Sequence, residues 1–208
     1  MNEALRLAEL MCSRLCHDLS GPLGTLVGVI EIAREEQADS ETLSLADATA
    51  AHLVSRLRLL RAAWGQRSEE LDPARLRSYA SALADSRRLT VNLDAVHVDA
   101  AIPADASRLI LNALLLAVDS LPSGGSIALA GSPRDSLVLT IDGPHAAWPP
   151  GFAGYLTNEA EAESAITSAR RIQAPLTALI ARALGFRLSL LIPVGASTQP
   201  PPLLLSFA

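Results

Sequence analysis

The sequence is poor in aromatic residues and in charge, and each shortage excludes a class of protein. Aromatic residues make up 3% and charged residues 19% of the 208 residues, whereas hydrophobic residues make up 50%. A chain of this composition is folded rather than intrinsically disordered. Its formal net charge of -5 does not favour the basic surface that nucleic-acid binding usually requires, so no nucleic-acid partner is expected.

Long apolar segments and cysteines are also scarce. The longest apolar stretch, LGTLVGVIEIA, ends in charge and is too short to span a bilayer, so no membrane contact is expected. The opening residues MNEALRLAEL lack the basic segment and apolar core of a secretory signal, which predicts a cytoplasmic protein. Cys12 and Cys16 lie on one helical turn. We expect buried thiols there rather than a disulfide, with metal binding as the alternative.

The first seventy residues are dominated by helical periodicity. Apolar residues recur in steps of three and four over residues 11–33, which predicts a long amphipathic helix that Pro22 kinks without ending. Asp39 or Ser40 can cap a second helix, whose apolar residues recur over residues 43–64. A lone hairpin of two such helices leaves one side of each apolar seam in water. We therefore predict a homodimer in which two hairpins form a four-helix bundle.

The stretch RLCHDLSGPLGTLVG contains the candidate site. On a helical wheel, His17 lies opposite the apolar seam, and a strip of glycines bordered by serines shares this outward face. These residues are Gly21, Gly24, Gly28, Ser13 and Ser20. Such a strip allows another protein to approach the imidazole closely, although small residues also let a helix pack against its own neighbour. Asp18 can fix the imidazole tautomer, or make a simple interhelical hydrogen bond.

The segment CHDLSGP resembles the phosphoacceptor box of histidine kinases, in which an acidic residue follows the histidine and proline stands five positions on, as His17, Asp18 and Pro22 do here. The leading cysteine, the small residues after the box, the helical hairpin and the length are similar more narrowly to ChpT-type histidine phosphotransferases of alphaproteobacteria. This resemblance implies a homodimer. It also implies that residues 1–70 form the dimerisation and phosphotransfer hairpin, and residues 71–208 a degenerate copy of the kinase ATP-binding domain.

The second half of the chain is expected to be α+β, with helices on one face of a mostly antiparallel sheet. Its pattern predicts helices over residues 74–88, 105–122 and 170–185, and strands over residues 89–94, 126–131, 136–143 and 186–193. This order is similar to the kinase ATP-binding fold. The apolar end PPPLLLSFA could cover a sheet edge, join a partner or fray.

The nucleotide-binding motifs of the kinase fold are incomplete in this sequence. Asn112 resembles the end of the asparagine box, but Arg108 stands where a second asparagine is often found. Asp142 resembles the start of the adenine motif, yet GPH follows where another glycine would be needed, and no glycine-rich lid occurs over residues 154–170. Backbone amides that bind phosphate need glycines for close approach. We therefore expect this chain to bind no ATP, no other cofactor and no metal.

The resemblance implies a phosphotransferase that acts in a phosphorelay. His17 would accept a phosphoryl group from the receiver domain of a hybrid histidine kinase and release it to the receiver of a response regulator, with Mg²⁺ bound by the receiver. Asp18 is expected to orient the ring. Arg14 is expected to contact the receiver, and His52 and Arg56 to face outward and border the same docking surface, although a solvated face explains the latter two equally well.

Two other functions remain compatible with the sequence. The first is an ATP-dependent histidine kinase with a divergent nucleotide pocket. The second is a noncatalytic dimeric scaffold that binds receivers without carrying phosphate. Labelling by Mg²⁺-ATP would identify the first, and failure to take label from a phosphorylated receiver would identify the second.

Overall fold

The chain folds into two compact units, Met1–Arg61 and Ala62–Ala208. The computed structural model describes residues 3–35, 40–66, 69–84, 88–98, 100–192 and 198–207. Among the helices in these ranges, none combines the length and the apolar character that crossing a bilayer requires. The division between the units falls inside the second helix of the chain.

The first unit consists of α1 (Glu3–Glu35) and most of α2. The helix α2 begins at Ser40 and extends to Trp64, so its last residues belong to the second unit. As predicted, α1 continues through Pro22, because proline removes only one backbone donor from the helix. Around it the Ser20 hydroxyl donates to the Cys16 carbonyl at 2.6 Å, a local bond that helical serines commonly make. Asp39, one of the two expected capping residues, lies outside the described residues.

The most buried side of α1 is not the one that the apolar pattern predicts. Leu15, at the centre of the predicted seam, is only half-buried. The buried residues of the described part of α1 are Arg14, Asp18 and Val29, which lie about 40° to 100° to one side of Leu15 on the helical wheel. An ion pair from Arg56 to Asp18 identifies this side as the one that faces α2.

A second apolar face of α1 remains exposed in the single chain. Leu23, Val27 and Ile30 are 51%, 47% and 40% exposed, and they lie about 60° to 120° from Leu15, on the side opposite to Asp18. Exposed apolar residues also occur on α2, namely Leu43, Leu45, Val54 and Leu57. The centre of the predicted seam thus lies between a buried side that faces α2 and an apolar side that is exposed in the single chain.

Cys12 and Cys16 lie on the exposed apolar side of α1. Both thiols are free and exposed, so the expectation of buried thiols is wrong for the single chain. The reason is the same rotation of the buried side, because the two positions lie about 60° and 100° from Leu15, away from the side that faces α2.

The second unit is an α+β domain with a mixed sheet, as the sequence predicts. Its sheet has the strand order β1-β2-β3-β5-β4, with β1 parallel to β2 and the remaining pairs antiparallel. Its elements are α3 (Pro73–Ala84), β1 (Leu89–Val96), α4 (Ala104–Asp119), β2 (Gly125–Gly131), β3 (Ser136–Asp142), α5 (Phe152–Thr157), α6 (Glu159–Ser164), α7 (Gln173–Ala183), β4 (Arg187–Leu190) and β5 (Leu203–Ser206).

The apolar C-terminal segment forms an interior strand of this sheet. β5 pairs with β3 on one side and with β4 on the other, so it neither covers an edge nor frays. Leu203 and Leu205 are fully buried, in the alternation expected for a strand with one face on the core. The indole of Trp148 donates to the Pro201 carbonyl at 2.7 Å and links the loop after β3 to the segment that leads into β5.

The core of the second unit is centred on α4. The apolar residues of this helix are buried on all sides from Leu109 to Val118, the pattern of a helix enclosed by other elements rather than one at a surface. Alternate residues of β2 and β3 complete the core, including Ile127, Leu129 and Leu139.

Candidate functional site

His17 lies on α1 with its side chain 58% exposed. The glycines that follow it also face open space, because a Cβ atom built at Gly21, Gly24 or Gly28 would meet no atom within 4 Å. The strip beside the imidazole is therefore not filled by the described residues of this chain. A leucine or larger residue at these positions would project from the surface of α1.

Asp18 is buried beneath the imidazole, with a side chain that is only 2% exposed. Its Oδ1 atom lies 3.3 Å from Nδ1 of His17. An ionised carboxylate can only accept hydrogen bonds, so this contact favours the ring tautomer that carries its proton on Nδ1. In the neutral ring, Nε2 then keeps its lone pair and is the nitrogen available for reaction.

Two arginines bind the other oxygen of Asp18. Arg14 Nε donates to Oδ2 at 3.0 Å, and Arg56 Nη2 lies 3.8 Å from the same oxygen. The expectation that Arg56 faces outward is wrong, because this residue is only 6% exposed. Arg14 is 5% exposed, which is not the placement expected for a receiver contact. Buried charges are normally paired, and Asp18 is the partner for both.

The remaining predicted partner-contact residues differ in position. Ser13 and Ser20 are exposed on α1 beside the glycines, and His52 is half-buried on α2. The spacing of Arg14 and Asp18, four residues apart on one helix, is the sequence signal that could have identified their ion pair. The participation of Arg56 has no comparable local signal, because it depends on how α2 packs on α1.

Asn112, the residue that resembles a nucleotide-site asparagine, is fully buried in the second unit. Its Nδ2 donates to the carbonyls of Ala63, at the end of α2, and Arg108, at 2.8 Å and 2.9 Å. Its Oδ1 accepts from Gln173 Nε2 at 3.0 Å, and the same Gln173 amide contacts the hydroxyl of Thr177. Both ends of the Asn112 amide are thus used within the second unit, where they join α4 to α7 and to the last residues of α2.

The region where a kinase carries its nucleotide lid has a different structure here. Residues 152–164 form the short helices α5 and α6, and Glu159, Glu161 and Glu163 are exposed on α6. A cavity of about 300 Å³ lies nearby, lined by α4, α7 and the loop that contains Trp148. Among the described residues, no group of three or more His, Cys, Asp or Glu side chains is arranged to hold a metal ion.

Comparisons with known proteins agree on one family. The family model for the histidine phosphotransferase C-terminal domain matches residues 73–194. Protein phosphotransferase ChpT of Brucella abortus (strain 2308) is 29% identical over 193 residues, which cover 90% of each chain. A solved structure of a bacterial phosphotransferase is 26% identical, with a TM-score of 0.71 over 99% of this chain and 97% of that one. The similarity therefore extends over the helical unit as well as the second unit.

Proposed function

This chain belongs to the histidine phosphotransferase family, and we propose that it transfers phosphoryl groups between receiver-domain aspartates through His17. Family membership and the similarity to a phosphotransferase support phosphotransfer within a phosphorelay. The observation that carries the assignment to His17 is its geometry. The imidazole is exposed, its Nδ1 faces a buried carboxylate, and open helix surface lies beside it.

The proposed reaction is a direct displacement at phosphorus. The Nε2 lone pair of His17 attacks the phosphorus of an aspartyl phosphate, the P–O bond to the receiver aspartate breaks, and its electron pair remains on that carboxylate. An N–P bond forms, and Nδ1 keeps its proton toward Asp18, which stabilises the positive charge that develops on the ring. Transfer to the next receiver is the reverse displacement. Phosphoryl transfer depends mainly on positioning and charge stabilisation, and the Mg²⁺ is assigned to the receiver.

The glycine strip supports close docking of a receiver. Phosphoryl transfer requires the receiver aspartate to reach bonding distance of Nε2, and side chains next to His17 would keep the receiver backbone away. Gly21, Gly24 and Gly28 leave this surface open along two turns of α1. Ser13 and Ser20 border the strip and can supply polar contacts at its margin.

The exposed apolar face supports a homodimer. Large exposed apolar residues occur on both α1 and α2, and a surface of this kind is typical of an association interface. A second copy of the same helices would bury them in a four-helix bundle. His17 lies on a different side of α1, so the site stays accessible in this arrangement.

ATP-dependent autophosphorylation is the less favoured function. Asn112 is occupied on both ends of its amide, so it cannot hold a Mg²⁺-nucleotide without breaking the packing between α4 and α7. We propose that the second unit binds no nucleotide.

Transfer of labelled phosphate tests the proposed function. The full chain is mixed with a receiver domain that carries ³²P on its aspartate, and the chain is then analysed for label that is stable in base and labile in acid. We expect rapid labelling of the wild type, no labelling of His17→Ala, and unchanged labelling of His145→Ala, which removes an exposed histidine from the second unit. The receiver affinity of His17→Ala should stay close to that of the wild type.

The same experiment separates the alternatives. Receiver binding without any label on the wild type would indicate a scaffold and would overturn the proposal. Label that persists in His17→Ala would assign the phosphoacceptor elsewhere. Incorporation of label from Mg²⁺-ATP in the absence of a receiver would indicate a kinase.

A further inference from the structure

We propose that Arg14 and Arg56 are positioning residues for His17. They hold Asp18 so that one carboxylate oxygen faces Nδ1 of the ring, which keeps Nε2 as the nucleophile. The inference rests on the proposed function, in which His17 accepts the phosphoryl group. Both arginines act through Asp18 rather than on the reacting atoms.

The two oxygens of Asp18 have separate partners. Oδ2 accepts from Arg14 Nε at 3.0 Å and lies 3.8 Å from Arg56 Nη2, whereas Oδ1 lies 3.3 Å from His17 Nδ1. The terminal torsion of an aspartate has broad minima and turns readily when nothing holds it. Because the two oxygens turn together, binding Oδ2 on one side fixes the direction of Oδ1 on the other.

Burial makes this arrangement rigid. The side chains of Arg14 and Arg56 are 6% and 7% exposed and that of Asp18 is 2% exposed, against 58% for His17. Charge interactions are stronger away from water. The buried carboxylate has little access to solvent that could replace the guanidinium groups. The imidazole is thus an exposed group that rests on a fixed, buried acceptor.

The two arginines contribute in different ways. Arg14 precedes Asp18 by one turn of α1 and makes a directed N–H hydrogen bond with it, so its contact is set within a single helix. Arg56 comes from α2, and at 3.8 Å its contact is a charge pair rather than a directed hydrogen bond. Through Arg56, the orientation of the His17 ring depends on the packing of α2 against α1.

The test measures the ring tautomer and the transfer rate in the same full-length protein. The ¹⁵N chemical shifts of Nδ1 and Nε2 of His17 report which nitrogen carries the proton, independently of any receiver. We expect the wild type to hold the proton on Nδ1 and Arg56→Met to lose this preference. Its rate of labelling at saturating phosphorylated receiver should fall by up to about a hundredfold, the effect that small misplacements of a reacting group can have.

A matched control lies two residues away on the same helix. Arg58 is exposed, so Arg58→Met removes the same charge from α2 without touching the buried cluster. We expect its ring shifts, labelling rate and receiver affinity to match those of the wild type. The receiver affinity of Arg56→Met should also be unchanged, because the buried guanidinium does not form the docking surface.

Lysine substitutions distinguish the two contacts. A lysine is a point charge without the fixed geometry of a guanidinium. Arg56→Lys should therefore restore most of the tautomer preference and rate that Arg56→Met loses. Arg14→Lys should restore much less of what Arg14→Met loses, because the Arg14 contact is a directed hydrogen bond. If Arg56→Met fails to fold, the two lysine variants still test the inference, because they keep the buried charge. Arg14→Lys should then show a weaker tautomer preference and a slower labelling rate than Arg56→Lys.

The outcomes are distinct from those of the proposed function. Unchanged ring shifts in folded Arg14→Met and Arg56→Met would overturn the inference, as would a fall in labelling rate without a change in tautomer. If the wild type takes no label from any receiver, the proposed function fails, whereas the ring shifts still report whether the arginines set the tautomer.

Discussion

The two units of this chain each bury a polar cluster, but only one of the clusters reaches an exposed reactive group. In the helical unit, Asp18 and two arginines are buried directly beneath an imidazole that is 58% exposed. In the second unit, Asn112 is buried in a network whose members bond to one another and to backbone carbonyls. The first arrangement can prepare a group for reaction with a partner, whereas the second can only stabilise the packing of helices.

The units also differ in how completely they bury apolar surface. The second unit encloses α4 from Leu109 to Val118 and places alternate apolar residues of its strands in one core. The helical unit leaves apolar side chains on both of its helices exposed. We expect the second unit to contribute most of the stability and the helical unit to carry the proposed association and phosphotransfer, and the following variants test this expectation.

The largest expected effect is on association through the helical unit. Leu57 is 48% exposed on α2, and Leu57→Glu places a charge in the proposed dimer interface. Because burying an unpaired ion costs several kcal/mol, we expect the dimer dissociation constant to rise by about a hundredfold or more. Sedimentation velocity measures this dissociation constant. Arg58→Glu, about 100° around the helix, is the control. A wild-type chain that is monomeric at tens of micromolar would refute the dimer.

The next effect is on the stability of the second unit. Asn112→Ala removes the donor to the Ala63 carbonyl and the acceptor for Gln173. We expect it to lower the free energy of unfolding by about 1 to 3 kcal/mol, the cost of leaving buried polar groups unsatisfied. Urea unfolding measures the change. Asn92→Ala, at an exposed asparagine of the same unit whose Oδ1 accepts from the Asp94 amide, should lower stability by less than Asn112→Ala, because solvent can replace an exposed hydrogen bond.

The folded Asn112→Ala protein also tests whether the second unit takes part in phosphotransfer, because its rate of labelling can be compared with that of the wild type. We expect its labelling rate from a phosphorylated receiver to equal that of the wild type. A rate that falls while the protein remains folded would mean that the buried network of the second unit also serves phosphotransfer.

A smaller effect is expected on docking. Gly24→Leu should weaken receiver affinity by about tenfold, or 1.4 kcal/mol, because its side chain would stand on the open strip. Gly24→Ala should leave affinity nearly unchanged. Both variants should stabilise the helix by up to about 1 kcal/mol, because a Cβ at this position meets no atom within 4 Å and glycine is a poor helix former. Equal affinities for all three proteins, measured by calorimetry, would show that the receiver docks elsewhere.

The smallest effect is expected when nucleotide is added, and the quantity measured is the melting temperature. A ligand that binds only the folded state raises the melting temperature, and the stabilisation grows with the logarithm of the ligand concentration relative to its dissociation constant. We expect millimolar Mg²⁺-ATP to leave the melting temperature of this chain unchanged, whereas a histidine kinase with a complete asparagine box should be stabilised under the same conditions. A reproducible upward shift would mean that the second unit has kept a nucleotide site.

Local pattern was sufficient to predict much of the fold and the outward face of α1. The three- and four-residue spacing predicted that α1 passes through Pro22, and the helical wheel placed His17 and the glycines away from the apolar seam. Both features depend only on the geometry of one helix. The same kind of local pattern, which alternates in strands and repeats every three or four residues in helices, predicted the other elements up to β4 but not the short helices α5 and α6.

The sequence could not reveal which side of α1 is buried or where the last strand lies. Apolar residues also occur on a side of α1 that is exposed in the single chain, so the apolar pattern did not show that the side carrying Arg14 and Asp18 is the buried one. The local sequence around Arg56 is that of a surface arginine. Its burial depends on Asp18, a partner on the other helix that is distant in sequence.

The sequence alone determined the candidate phosphoacceptor His17 and the open helix surface beside it, because both are properties of one continuous helix. Only the tertiary structure decided that two buried arginines bind Asp18, that Asn112 joins α4 to α7 and to the last residues of α2, and that β5 enters the sheet between β3 and β4. These features arise from contacts between distant segments. Such contacts are fixed by which surfaces can be buried together, and no local pattern records that choice.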